Sequence, residues 1–251
     1  MLVIPILKNI FKIKAVWLLL IFSIYPLLIF IAELTKSNFI TFEATNGHKI
    51  AYIELLLAIH DTQLQFMLPI IIIGFVFSLQ YFDEINTGRL ILFKDLNRKK
   101  IFDSKLISLM LIYVIYISNL MISSYIVFKF YAVRKGLGTN TLLYTDTLYN
   151  KQLILQLLSS LGTEVLLIFI ALLLSTKFNT GITIIGVIVS AMLFRASTLL
   201  GKIQYLLPSG HYSISNQNEF NFSILIIICL IFGYATIIYL ISLKIFKQTQ
   251  F

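Results

Sequence analysis

Residues 81–105 read YFDEINTGRLILFKDLNRKKIFDSK, a charged, turn-bearing stretch set between two long apolar runs. It is an island of polarity in a chain that is otherwise poor in it. Of the 251 residues, 59% are hydrophobic and 12% charged, and mean hydropathy is +0.92. Soluble domains carry roughly 25% charged residues. The apolar surface here exceeds what such a domain can hide in its own core, and the composition is that of an integral membrane protein.

A helix crosses the hydrocarbon layer with about 20 mostly apolar residues, because lipid offers no partner to backbone N–H and C=O groups and the helix pairs them internally. Six segments qualify: residues 15–32, 64–82, 106–128, 153–175, 180–200 and 222–243. The start of the fourth is diffuse, since residues 149–160 are only partly apolar. Residues 176–179 are few enough to force the fourth and fifth spans into an antiparallel hairpin. An even number of spans puts both termini on one side. Basic residues near span ends resist translocation and so choose that side. Lys8, Lys12, Lys14, Arg89, Lys94, Arg98, Lys99, Lys100, Lys105, Lys177, Lys244 and Lys247 fall on one face. Lys36, Lys49, Lys129, Arg134, Lys135, Lys151 and Lys202 fall on the other. The excess puts both termini and residues 81–105 in the cytoplasm. The expectation is an all-α, multi-pass membrane protein with one membrane domain over residues 1–251.

The formal charge of +9 does not read as a nucleic-acid footprint, because the basic residues are spread over loops on both faces without an aromatic-basic platform. Anionic lipid headgroups are the expected counterpart. The one cysteine, Cys229, lies in the last apolar run, allows no internal disulfide, and reads as a small packing residue. The N-terminus lacks a small-residue cleavage site, so the first apolar run is taken as a span. Ahead of it, Ile6, Ile10 and Ile13 share a helical stripe with Leu7 and Phe11 beside it, while Lys8 and Lys12 lie on another face. That pattern fits a basic amphipathic helix in the headgroup layer, and equally a simple orientation signal. The outward loops, residues 34–63, 129–152 and 201–221, are too short to be domains. The last carries Pro208, Ser209, Gly210 and Asn216 behind the apolar residues 203–207, a composition that permits a short element dipping into the outer leaflet.

Catalytic signals are scarce. His48, His60 and His211 are scattered, and there is no HExxH or CxxC spacing for a metal. Neither a GxxxxGK[ST] phosphate loop nor a GxSxG elbow occurs, so any ATP hydrolysis belongs to another chain. The expectation is no catalytic residue, no metal, and a protein that is not itself an enzyme. His60 and Asp61 are adjacent, which reads either as a proton relay or as an interfacial polar cap; neighbours on a helix point about 100° apart and need not share a site. Glu164 and Arg195 fall inside spans, where a charge costs at least roughly 2.5–3.5 kcal/mol. They read as an ion pair across the hairpin, as the lining of a substrate path, or as groups reaching for the headgroups. The spans hold no series of Asp, Glu or His such as a proton-coupled carrier uses.

The central stretch is more specific. Glu84 precedes Gly88 by four residues; Arg89 follows, then the apolar run Leu90, Ile91, Leu92 and Phe93, then Asp95, Asn97 and Arg98, with Lys105 seven residues on. This describes a polar turn, a short amphipathic helix, a cap at Asp95 or Asn97, and a basic start to the third span. Such an element lies on the membrane surface and presents side chains to a soluble partner.

The arrangement resembles the permease subunits of ABC-2 type transporters, whose first cytoplasmic loop carries a Glu, a Gly shortly after, an Arg, and a Lys at the mouth of the third helix. Here those are Glu84, Gly88, Arg98 and Lys105. That family often has Pro three residues before the Arg, where this chain has Asp95. The whole layout is similar: basic amphipathic start, six spans, coupling loop between the second and third, and an irregular outer loop before the sixth. The resemblance implies a pair of permease subunits, identical or related, with two separate ABC ATPase subunits that hold the ATP and magnesium. Glu84, Gly88, Arg89, Leu92, Asp95, Arg98 and Lys105 are then the coupling residues. Chains of this size, rich in Ile, Phe and Lys, look like permeases of bacterial peptide export and bacteriocin self-protection, in the bacterial cell membrane, with an amphipathic or lipid-like cargo. The alternatives are a membrane-embedded protease or lipid-modifying enzyme built on Glu164, His60, Asp61 or His211, and a non-catalytic anchor of another complex.

Overall fold

The structure, a computed structural model, describes residues 2–35, 49–88, 97–197 and 201–248. Among them the secondary structure is helical: α1 (Val3–Ile10), α2 (Lys14–Phe22), α3 (Leu28–Leu34), α4 (Tyr52–Phe66), α5 (Leu68–Ser78), the single turn α6 (Glu84–Asn86), α7 (Arg98–Val127), α8 (Thr147–Ser175), α9 (Thr180–Ser197) and α10 (Glu219–Gln248). Five stretches are long and apolar enough to cross a membrane: Leu68–Asn86, Arg98–Ala132, Thr147–Ser175, Thr180–Ser197 and Glu219–Gln248. Lys14–Phe22 and Tyr25–Leu34 form a further candidate bent by 50°. The bend falls at Tyr25-Pro26, where a 3₁₀ turn (Tyr25–Leu27) replaces the α-helix, because proline has no N–H for the preceding turn and its ring crowds the carbonyl four residues back.

The run at residues 64–82 is not one helix. Leu64–Phe66 close α4, the chain turns at Met67 with φ 54°, and the spanning stretch begins at Leu68. Much of the expected outer loop 34–63 is therefore helical. Its polar residues His60, Asp61 and Gln63 depress hydropathy and disguise it, yet His60 and Gln63 turn into the protein and are buried. α7 starts at Arg98 rather than residue 106 because Asn97 caps it, its Oδ1 accepting from the Lys99 N–H at 2.9 Å. α8 starts at Thr147 for the same reason: Asp146 Oδ1 accepts from Leu148 and Tyr149 N–H. Residues 176–179 form the tight connection expected between α8 and α9, and residues 198–200 lie outside the described set. Short 3₁₀ turns, Gly201–Leu206 and Pro208–His211, fill the loop before α10. Cys229 is exposed, not packed, since α10 meets α8 along one face and the cysteine lies off it.

The helix breaks answer one another. The Phe22 carbonyl accepts from Gln63 Nε2 at 2.9 Å, the Ser23 carbonyl from Ser123 Oγ at 3.0 Å, and the Ile59 carbonyl from Tyr25 Oη at 3.1 Å. Tyr116 in turn donates to Gln63 Oε1. A carbonyl released by a broken helix in an apolar setting costs free energy unless paired, and the Phe22 and Ser23 carbonyls at the bend are paired by α4 and α7.

Two ends of the bundle are defined by contacts. At one, α1 lies along α7 with Ile6 and Ile10 buried, and Ser108 Oγ reaches the Val3 carbonyl. The stripe stops at Ile10: Ile13 is extended and starts α2 instead. Trp17, 55% exposed, bridges this corner by donating from Nε1 to the Phe11 carbonyl at 2.8 Å. An aromatic core of Phe77, Tyr81, Phe102 and Phe246 joins α5, the following wide turn, α7 and α10. At the other end, Ile50 pairs with Gly138, and the Tyr144 hydroxyl accepts from Ala51 N–H and donates to Glu54. Burial, reinforced by the Glu54 carboxylate, pushes the Tyr144 phenol up to about 12. Between the ends, α8 and α10 approach so closely that a side chain on Gly162 would meet Ile231 Cδ1 at 2.1 Å. Outward faces of α9 and α10, with Ile185 62% and Phe232 70% exposed, suit hydrocarbon.

Met67 is a non-glycine residue held in the left-handed region, at a cost of about 1 kcal/mol or more. Met67→Gly is expected to hold or raise the thermal midpoint of the detergent-solubilised protein. Met67→Ile, β-branched at the same dihedral, should lower it clearly.

Candidate functional site

Two polar sites stand out. The first lies at the end of the bundle that holds α1. Past Ser78 the helix widens into a π turn over Leu79–Asp83, which leaves the Gln80 carbonyl to accept from Lys105 Nζ at 2.5 Å. The same ammonium meets Glu84 Oε2 at 2.6 Å. Lys105 is 2% exposed and Glu84 21%, so the pair lies at the border between protein and exterior. The Tyr81 ring lies 5.4 Å below the ammonium, and its hydroxyl donates to the Phe102 carbonyl at 3.0 Å. An ammonium buried this far needs a charged partner, acceptors and a π face to offset lost hydration, and Lys105 has all three.

The surrounding residues fix the geometry of the connection. Gly88 has φ 67°, a left-handed turn that glycine adopts without a Cβ clash and that stops the helix after α6. At the re-entry, an Arg98 guanidinium nitrogen donates to the Lys247 carbonyl at 2.5 Å, tying α7 to the last turn of α10. Tyr239 adds a second tie to Asp103 at 2.7 Å. Of the predicted coupling residues, the structure thus joins Glu84 to Lys105, turns the chain at Gly88, and binds Arg98 to α10. Arg89, Leu92 and Asp95 fall within residues 89–96, outside the described set, as does the expected amphipathic helix there. Between α1 and this connection opens a cavity of about 630 Å³. Leu2, Ile6 and Ile13 form its apolar wall, and Lys12, Asp83 and Glu84 are among its polar groups.

The second site lies deep between α4, α7 and α8. Glu164, 3% exposed, accepts from the Tyr113 hydroxyl at 2.6 Å and faces His60 Nε2 at 3.3 Å. His60 is 1% exposed, so it is not an interfacial cap, and its Nδ1 lies 3.3 Å from Ser160 Oγ. Burial pushes the carboxyl of Asp61, half-buried on the next position, above the usual carboxylate range, with His60 and then Arg195, exposed on α9, acting against the shift. Sequence reasoning named His60 and Glu164 separately. It missed Tyr113, Ser160 and Gln63, whose only signal was polarity within an apolar run.

Ser160, His60 and Glu164 have the connectivity of a serine triad but not its chemistry. The Ser160 hydroxyl donates to the Leu157 carbonyl at 3.0 Å, and the residue sits in mid-helix, where neighbouring N–H groups are taken by the helix and none is left to hold an oxyanion. Among the described residues no cluster of three His, Cys, Asp or Glu side chains could hold a metal.

Compared with protein-family models, with curated proteins and with solved structures, the chain matches none.

Removing one member of a buried ion pair leaves the other uncompensated. Glu84→Gln is expected to destabilise the protein by about 3 kcal/mol, the low end for such a loss because Glu84 keeps some exposure. The double variant Glu84→Gln/Lys105→Met should recover most of that. Thermal midpoints of the three proteins in one detergent give the comparison.

Proposed function

We propose that this chain is the membrane-spanning permease subunit of an ATP-driven exporter, of the ABC-2 type, in a bacterial cell membrane. The observation that carries the reading is the Glu84–Lys105 ion pair. Two residues 21 positions apart, singled out as the Glu and Lys of a coupling loop, meet at the mouth of two helices, with Gly88 turning the chain and Arg98 bound to α10. In this reading the bent pair α2–α3 is one span, giving six, and both termini lie in the cytoplasm with the connection that follows α6. The Lys and Arg excess on that face supports the orientation.

The mechanism is mechanical. ATP and magnesium bind a pair of separate ATPase subunits, whose closure loads the connection between α6 and α7. Lys105 and Glu84 pass that load to the Gln80 turn, and the Tyr81, Phe102 and Phe246 rings spread it over the helices they join. A dimer of permease subunits then shifts between two conformations of different access. Spans dominated by aromatic and branched apolar side chains favour an amphipathic cargo, such as a membrane-active peptide or a lipid, over a hydrophilic solute. Anionic headgroups meet the basic residues at the same face.

The test is co-purification. The chain is expressed with the ATPase encoded beside it and isolated through a tag on this chain alone. The ATPase is expected to co-elute, and Arg98→Glu to abolish co-elution. Glu84→Ala should abolish ATP-dependent export while membrane insertion is unchanged. Normal export by both variants would sink the coupling role. A chain that always purifies alone would shift the reading to an anchor, or to an enzyme centred on His60 and Glu164.

A further inference from the structure

His60 sits between a hydroxyl and a carboxylate. Ser160 Oγ lies 3.3 Å from its Nδ1 and 3.0 Å from the Leu157 carbonyl; with the hydroxyl hydrogen on that carbonyl, the oxygen offers Nδ1 a lone pair and Nδ1 carries a hydrogen. On the other side of the ring, the Tyr113 hydroxyl donates to Glu164 Oε2 at 2.6 Å. His60 Nε2 faces that oxygen at 3.3 Å, outside hydrogen-bond alignment, and has no other hydrogen-bond partner among the described residues. A bare Nε2 lone pair would point at an anion, and the anion would lack a counter-charge in an apolar interior. A proton on Nε2 removes both penalties.

We infer that His60 is a buried imidazolium, and that His60 with Glu164 forms a proton-binding site that holds α4 on α8. Transfer of the proton from Nε2 to Glu164 breaks the N–H bond, returns its electron pair to nitrogen and forms an O–H bond. It leaves two neutral groups. That is the one-proton state in which the helices part without separating opposite charges, so opening α4 away from α8 moves a proton. The geometry allows such a motion to be local, since α4 joins α5 through the single left-handed residue Met67. Other ionisable groups near the site are Tyr113 and Tyr116 from α7 and Tyr25, which holds the Ile59 carbonyl. α5 brings none. Asp61, half-buried, is the neighbouring ionisable group on α4. The site needs no ATPase and stands apart from the exporter reading.

The chain has three histidines, so nitrogen NMR of the full-length protein labelled with ¹⁵N-histidine resolves the question, with His60→Gln assigning the signal. Wild-type His60 is expected to stay an imidazolium past the usual midpoint near 6.5. In Glu164→Gln the midpoint should fall by roughly two pH units or more. A wild-type midpoint at or below the ordinary value overturns the inference, whether or not the variant folds. Infrared spectra of His60→Gln give an independent reading. Without its cation Glu164 should take up a proton and show a carboxylic-acid carbonyl band that is absent from His60→Gln/Glu164→Gln. Failure of that band to appear overturns the shared proton.

Discussion

Every backbone polar group in an apolar surrounding must find a partner, and the bundle is organised around the places where helices fail to provide one. The bend at Tyr25-Pro26, the left-handed Met67 and the wide turn over Leu79–Asp83 all interrupt regular pairing. Carbonyls at these interruptions are taken by side chains of other segments: Phe22 by Gln63, Ser23 by Ser123, and Gln80 by Lys105. These bonds do more than repair defects. They are directional, unlike apolar contacts, and so they set the depth at which one helix sits against another.

That depth is what brings ionisable groups together. Gln63 holds α4 against the α2 break, and the same helix carries His60 to the level of Glu164. Lys105 reaches the Gln80 carbonyl and finds Glu84 one turn further on. The deep pair is shielded on all sides, whereas Lys135 and Glu33, 2.7 Å apart and roughly 40% exposed each, sit at the far end in contact with solvent or headgroups. The exposed pair contributes little. The buried ones contribute specificity, since shifting either helix by a turn would strand a charge.

The apolar runs were legible in the sequence because a spanning helix is a local property, and the short connection at residues 176–179 followed from length alone. The structure's helix starts at Asn97 and Asp146 extend those runs outward through capping. α4 was not legible, because a helix that turns its polar residues toward a protein partner looks, to a hydropathy scale, like one that turns them to water. The bend at Pro26 and the turn at Met67 were not anticipated either; both lie inside segments read as single apolar spans. Spacing singled out Glu84 and Lys105. It gave no basis for joining His60 to Glu164, since relative helix depth is fixed by contacts far apart in the chain, and hydropathy does not encode them.

Trp17 is the chain's single tryptophan, and its indole hydrogen is committed to the Phe11 carbonyl where α1 gives way to α2. Every photon emitted from an indole in this protein therefore comes from one corner, more than half uncovered, at the junction of α1 with the first apolar run. Its emission colour reports the polarity of that corner without any attached label. The fold thus carries its own optical depth gauge, reading how far the α1–α2 elbow sits from water in whatever bilayer surrounds it.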